Sequence, residues 1–473
     1  MLRILLVIHR YLAVAVGLLM ALWCLSGFVM LYQPYPEFTT AERLATLAPL
    51  RLAACCRTDF LPADATPAGS FRIEMLDGAP VLRQPGSVAF DLATGAPVRR
   101  LTQDGVLQVA AEYASRRGLR ATPRWMEEVA LDQWTIGNAA RNQPANRVAL
   151  DDAAGTELYI NGRSGEIFQQ TTRRERVLSW FGAIPHWLYP TVLRRHATLW
   201  SQLVIWTAVA GTFLTLTGLY VGISRLCRPR GAGAPVSPFR GWWYWHHLAG
   251  LGFGVFTLSW VFSGLLTMNP WGLLEGSDAA ARLPPQLAGQ GRTSELRQFL
   301  RALPASLPAG EFVQLRAQPW EDSLFVLAYR ADGSVVRLDA TARPAPLAQA
   351  QVRRALAGLQ VPVRSFATLD RGDAYYYAQQ GGAELPVYRA VLADRQQTRV
   401  YISPVTGNLR IVDRDARRTR WLDNGLHRLD FPGLHHRPLW DCLALLLLAG
   451  VGASCITGAW MAIQRIRRDL ARP

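Results

Sequence analysis

Histidine is the residue type whose spacing in this chain points most directly to chemistry. His9 is followed by Gly17, Trp23 and Ser26-Gly27, and His246 is followed at the same offsets by Gly254, Trp260 and Ser263-Gly264. Each copy then runs into a proline, Pro34 or Pro270. Further along, His196, Trp200 and Thr217-Gly218 are spaced as His436, Trp440 and Thr457-Gly458 are. A neutral imidazole is a common metal ligand, and an ionisable side chain in or beside a membrane is costly enough to imply a function. Histidines kept at matching edges of a repeated segment therefore suggest a built-in pair of ligand sites. The chain has no C-x-x-C-H, which excludes covalent c-type haem, and no zinc spacing, P-loop or G-x-S-x-G element.

The elements that must carry these histidines are apolar. Residues 12–32, 197–224, 241–274 and 442–464 contain no charged side chain. Each exceeds the roughly 20 residues needed to cross about 30 Å of hydrocarbon. The expected organisation is a first membrane helix (1–33), an external domain (34–178), an edge helix with the second membrane helix (179–226), a loop (227–240), a third membrane helix (241–270), a second external domain (271–420), and an edge segment with the fourth membrane helix and tail (421–473). The first helix resembles a signal peptide, but its internal copy at His246–Pro270 cannot be one, and no small-residue cleavage pattern follows. The short loop carries Arg225, Arg228, Arg230 and Arg240, and the tail carries Arg465, Arg467, Arg468 and Arg472. The positive-inside rule then puts both termini in the cytoplasm and the large segments in the periplasm of a bacterial inner membrane. Arg173, Arg174, Arg176, Arg194 and Arg195 on the other side weigh less, because long domains cross largely regardless of charge.

The formal net charge is +16, and all 51 basic residues are arginine. They are scattered, with no basic helix or aromatic RNA-binding motif, so nucleic acid is not the expected partner. Anionic lipid head groups or an anionic external substrate fit better. Cys24, Cys442 and Cys455 fall in membrane segments and Cys227 at a cytoplasmic end; Cys55 and Cys56 are adjacent, a spacing that rarely bridges without strain.

Both external segments read as α+β. Residues 88–92, 158–160, 399–402 and 408–412 read as strands beside glycine-bearing turns at Gly95, Gly165 and Gly407. Residues 107–117 and 294–302 read as helices before these hairpins, and 283–292 and 342–346 as Pro/Gly-rich connectors. Tyr159 to Gly165 and Tyr401 to Gly407 are equally spaced, with Arg147 and Arg389 upstream, so the repeat extends here.

The blocks "LYINGRSGEI…RRERVLSWFGAIPHWLYPTVLRRHATLW", "VYISPVTGNLRIVDRDARRTRWLDNGLHRLDF" and "WHHLAGLGFGVFTLSWVFSGLLTMNPWG" resemble the PepSY-associated transmembrane family. The resemblance covers nearly the whole chain. It implies an iron-regulated inner-membrane protein with two PepSY-like external domains, similar in part to ferric-siderophore reductases that carry b-type haem in a four-helix bundle.

Non-covalent haem in a bundle takes neutral imidazoles from facing helices. Two spans per repeat give the copies one topology, related by an axis along the membrane normal. His9 and His246 are then expected to face each other near the cytoplasmic side, and His196 and His436 near the periplasmic side. Gly17, Gly211, Gly254 and Gly452 would leave room for a porphyrin face, or simply pack helices closely. His247 and His435 adjoin the proposed ligands, and only one of each doublet can face inward. His186 and His427 form a third matched pair, read either as outer ligands, as contacts to an incoming iron complex, or as structural hydrogen bonds. Trp23 and Trp260 are expected between the two sites. Tyr375-Tyr376-Tyr377, Trp125 and Trp134 are siderophore-surface or core aromatics; Asp132, Asp373 and Glu384 are acids for ferrous iron or solvated side chains. The expected function is passage of electrons through two haems to a ferric siderophore, from a quinol or a separate cytoplasmic reductase, since no flavin or NAD fingerprint is present. The competing readings are a haem-free PepSY protein that binds or regulates a periplasmic partner, and a di-haem protein acting on a quinol or another metal.

Overall fold

The computed structural model describes residues 2–53, 55–86, 88–226, 237–274, 278–377, 383–434 and 436–471. Cys227, Arg228, Arg230, His435 and Arg472 lie outside the described residues. The chain divides into two compact units. One comprises Met1–Tyr35, Arg174–Glu275 and Ala416–Pro473; the other comprises Pro36–Arg173 and Gly276–Asp415.

The first unit is a membrane bundle. Among the described residues, four helices are long and apolar enough to cross a membrane: Leu2–Met30, Ala197–Leu226, Trp242–Thr267 and Leu439–Leu470. The first starts well before its uncharged stretch, so His9 lies inside it rather than ahead of it. The third stops at Thr267, because Asn269 adopts a left-handed φ of 44° and Pro270 follows. The helices pack in a cycle in which the first and the third each touch the second and the fourth, so the first and third are diagonal partners. Small residues allow the close approach: Gly211 faces Met20 and Val261, Gly254 faces Leu219, and Gly452 faces Cys24.

The strands among the described residues lie in the second unit: β1 (Arg72–Leu76), β2 (Ala79–Gln84), β3 (Val88–Asp91), β4 (Arg124–Val129), β5 (Ala145–Ala149), β6 (Glu157–Asn161), β7 (Ile167–Thr171), β8 (Gln314–Ala317), β9 (Val326–Tyr329), β10 (Val335–Leu338), β11 (Val363–Leu369), β12 (Val387–Leu392), β13 (Arg399–Ile402) and β14 (Leu409–Val412). They form two four-stranded antiparallel sheets, β4-β5-β6-β7 and β11-β12-β13-β14, and a six-stranded sheet β10-β9-β8-β1-β2-β3. In the third sheet β1 pairs antiparallel with β8, Arg72 opposite Arg316 and Ile73 opposite Leu315. Residues 36–173 and 276–415, expected in separate domains, therefore share a sheet. Period-2 patterning gives no information about which distant strand an edge will join.

Helix Gln103–Arg116 buries Val106, Ala110 and Tyr113 against Val148, Leu158 and Ile160 of its sheet. Helix Gln349–Ala357 does the same with Val352, Ala355 and Leu356 against Ala390, Val400 and Ile402. The helix expected at 294–302 is present as Thr293–Ser306 and packs Phe299, Leu300 and Leu303 in the core of the six-stranded sheet, whereas helix Gln349–Ala357 is an additional element. A correction concerns 283–292. Helix Asp278–Ala288 contains Pro284 and Pro285, because Leu283 and Leu287, one turn apart, are buried in a common core. Gly165 and Gly407 turn their hairpins at φ of +66° and +71°, a backbone that side-chain-bearing residues rarely adopt. A Cβ on Gly165 would also meet Leu76 at 2.6 Å.

A buried charge cluster ties this unit together. Glu74, 1% exposed, is bound by Arg43, by Arg83 Nε at 3.1 Å and by Gln314 Nε2 at 2.6 Å. Burial alone raises the Glu74 carboxyl, but the Arg43, Arg83 and Arg72 charges outweigh it and hold it well below the usual carboxylate range. Cys55 and Cys56 are disulfide-linked, contrary to the expectation from their adjacency.

Candidate functional site

The site is built from histidines of one chain segment held by hydroxyl-glycine dipeptides of another. His9, on the first membrane helix, and His246, on the third, have ring centroids 6.4 Å apart. His9 Nδ1 lies 3.0 Å from Leu214 O, and His246 Nδ1 lies 3.1 Å from Ser454 O. A carbonyl can only accept, so the Nδ1 proton is donated and Nε2 carries the lone pair. Thr217 and Thr457 lie beside the same Nδ1 atoms, at 3.4 and 3.1 Å. Each threonine hydroxyl donates to carbonyls of its own helix, Phe213 and Leu214 or Ala453 and Ser454, so its oxygen is left to accept from the imidazole. The next residue is glycine for a steric reason. A Cβ on Gly218 would lie 2.7 Å from His9 Cε1, and one on Gly458 would lie 3.0 Å from His246 Cε1.

The same device recurs at the far end of the first and third helices. His186 and His427 have ring centroids 6.3 Å apart. Their Nδ1 atoms donate to Trp23 O at 3.0 Å and Trp260 O at 3.2 Å, with the hydroxyls of Ser26 and Ser263 at 3.2 and 3.1 Å. Gly27 and Gly264 lie under the rings, at 3.8 and 3.3 Å from a would-be Cβ to Cε1. All four histidines use Nδ1, and none of their Nε2 atoms makes a hydrogen bond among the described residues.

The outer pair is therefore not the one expected. His196 and His436 are exposed, just ahead of the second and fourth membrane helices, and His196 Nε2 accepts from Arg195 Nε at 3.2 Å. A continuous helix from His186 would run straight on to His196. Instead the short helices Ala183–His186 and Leu426–Arg428 end at once, and Leu188 and Leu429, each two residues past its histidine, take φ of 49° and 54°. That turn folds each histidine back against the bundle. Of the neighbouring histidines, His247 is buried with Nδ1 2.8 Å from Ser237 Oγ and Nε2 3.0 Å from Gly222 O, so both nitrogens are engaged. His435 lies outside the described residues.

Other expected roles move as well. Of the glycines expected to make room for a porphyrin face or to pack helices, Gly211, Gly254 and Gly452 sit at helix contacts, as the packing alternative has it. Trp23 and Trp260 lie at the level of the outer pair, since their carbonyls hold it. Fourteen residues separate His9 from Trp23, so the two histidine levels are about 21 Å apart along the first helix.

In the second unit, Asp132 accepts from Tyr159 Oη at 2.6 Å and from Thr135 Oγ1 at 2.9 Å. Asp373 accepts from Tyr401 Oη at 2.8 Å and Arg389 Nη1 at 3.0 Å. Glu384 accepts from Thr406 at 2.6 Å and Asn408 at 3.4 Å. These acids are hydrogen-bonded within the unit, and Glu384 is also exposed. Trp134 is buried, Trp125 Nε1 donates to Asn146 Oδ1 at 3.3 Å, and Tyr376 stacks on Tyr401 with centroids 5.0 Å apart.

The signal that sequence reading left unused was the set of dipeptides Ser26-Gly27, Thr217-Gly218, Ser263-Gly264 and Thr457-Gly458. They are visible as repeats, but their purpose shows only when each is paired with a histidine. Neither a curated protein nor a solved structure matches the chain. Residues 6–359 match the family model of the PepSY-associated TM region, a span that includes His9, His186 and His246. That match covers more than half of the 473 residues, and the chain belongs to this family.

Proposed function

We propose that this protein is a di-haem oxidoreductase of the bacterial inner membrane that passes electrons outward to ferric siderophores and so releases ferrous iron in the periplasm. The observation that carries the proposal is the two histidine pairs, His9 with His246 and His186 with His427. Each ring is anchored through Nδ1, and each Nε2 is left without a hydrogen bond among the described residues. Two imidazoles on opposite sides of one metal, at about 2 Å per bond, have centroids roughly 6 Å apart, which fits the separations of 6.4 and 6.3 Å. Among the described residues no three His, Cys, Asp or Glu side chains cluster as a metal site. A bare ion at either pair would lack ligands, whereas a haem brings four nitrogens of its own. The absence of C-x-x-C-H makes it b-type.

Bound haem supplies one-electron transfer at each level of the membrane. The chain's part is to hold the ligands: the Nδ1–H bonds fix each tautomer and ring orientation and raise the basicity of Nε2. The glycines admit the rings, and the bundle excludes water around them. Matching offsets in the two halves support an internal duplication, with the halves related by an axis along the membrane normal. The arginines near residues 225–240 and in the tail support cytoplasmic termini, so His9 and His246 belong to the cytoplasmic side. A membrane quinol or a separate reductase would supply the electrons.

Ferric siderophore suits such an acceptor. Oxygen chelators hold the hard ferric ion tightly and ferrous iron weakly, so a single electron frees the metal and spares the chelator. The test is to reduce the purified protein with a quinol analogue, add a ferric siderophore and a ferrous-specific chromophore, and follow both absorbances. Ferrous iron should form in step with haem reoxidation. A reduced haem protein that leaves ferric siderophores untouched would overturn the choice of substrate.

A further inference from the structure

Beside the outer histidine pair, one half of the bundle carries an aromatic and basic surface that the other half lacks. Trp187 follows His186 directly and is 40% exposed. Its ring lies 6.0 Å from Tyr35 and 5.9 Å from Tyr189, and Tyr189 lies 5.8 Å from Trp200. The Arg194 guanidinium stacks over Trp200 at 4.5 Å and Tyr189 at 5.2 Å. No carboxylate pairs with Arg194 among the described residues, and its buried Nε has no hydrogen-bond partner. Arg195 also lacks a carboxylate partner; its Nε is used on His196.

The register that aligns His186 with His427 separates scaffold from surface. Both halves keep a tryptophan whose indole N–H donates to the carbonyl following the outer histidine: Trp200 to Trp187 O at 3.0 Å, Trp440 to Arg428 O at 3.3 Å. The aromatic surface does not repeat, because Arg428 and Asp430 stand at the positions of Trp187 and Tyr189. Near Trp440 the stacked cation is Arg437, but Asp441 neutralises it at 2.9 Å. The shared features hold the histidines. The unshared ones leave a cation seated over the Trp200 and Tyr189 rings with no carboxylate partner among the described residues, and Tyr189 adjoins Trp187, the residue after His186. Stacking on aromatic faces orients a guanidinium while leaving its N–H edge free for a planar anion.

We propose that Trp187, Tyr189, Arg194 and Trp200 form the docking surface for the ferric substrate, and that it selects anionic oxygen chelates of the catecholate or carboxylate class. This rests on the reductase reading. Arg194 pairs with the negative ligand oxygens, and the rings carry the chelator's flat face. In the redox step the docked ferric chelate gains one electron, supplied through the protein by its quinol or reductase donor. The iron–oxygen bonds survive that step, and the complex becomes one charge more negative.

The test uses full-length protein in neutral-lipid nanodiscs and calorimetric titration with a gallium(III) tris-catecholate, which carries the ferric complex's charge and shape but accepts no electron. Wild type should bind it. Arg194→Gln and Trp200→Leu should each weaken binding at least tenfold, Arg194→Lys should lose less, and Arg437→Gln should match wild type. A neutral gallium trihydroxamate should show no dependence on Arg194. Equal binding by Arg194→Gln and wild type overturns the proposal. So does loss of catecholate binding when phosphatidylglycerol is added to the nanodisc, since the surface would then be a lipid-phosphate site. Gallium binding needs neither haem nor turnover, so failure of the docking surface is distinguishable from failure of the reductase reading.

Discussion

At the scale of single residues, the glycines make the sharpest distinctions. A methyl on Gly218 would stand 2.7 Å from His9, while one on Gly27 would stand 3.8 Å from His186, an ordinary contact. Gly218→Ala should therefore displace His9 and deplete the inner haem, and Gly27→Ala should leave the outer one in place; haem content per chain separates the two. Thr457→Val keeps the glycine but removes one of two acceptors from His246 Nδ1. A lost hydrogen bond of about 1 kcal/mol corresponds to roughly 40 mV for one electron. The less basic imidazole should raise the inner potential by about that amount in a redox titration, and Thr457→Ser should restore it. His9 and His246 were legible in the sequence because their offsets repeat. The choice of His186 and His427 over His196 and His436 was not, since it depends on leucines at positive φ that no propensity rule anticipates.

At the scale of elements, the hairpins and long helices follow from local pattern, whereas the β1–β8 pairing and helix Gln349–Ala357 required tertiary contacts. Glu74 lies at the centre of that non-local structure, next to β8 through Gln314. Its carboxyl titrates lower in the folded than in the unfolded chain, so its stabilising contribution is complete above the unfolded value of about 4 and is lost as pH falls below it. Glu74→Ala leaves Arg83 without its carboxylate, while Arg43 keeps Glu166 at 3.3 Å, and should cost about 3 kcal/mol. Melts of the second unit at pH 7 should show the loss, and the difference from wild type should shrink from pH 4 downward. A difference that stays constant across this range would place the stability elsewhere.

At the scale of the whole molecule, the bundle uses one cradle four times, and the count of filled cradles is the quantity to measure. The four apolar helices and the family were legible from sequence. Which histidines pair was only partly legible, because imidazoles beside small residues look alike in sequence until their atoms are placed. The most direct measurement is a pyridine haemochrome count with reduced-minus-oxidised spectra on wild type, His9→Leu, His186→Leu and His196→Ala. Two b-type haems per chain in wild type and His196→Ala, falling to one in each of the other two variants, is the predicted result. A colourless wild type after expression with ample haem, or loss of haem on replacing His196 but not His186, would contradict the account.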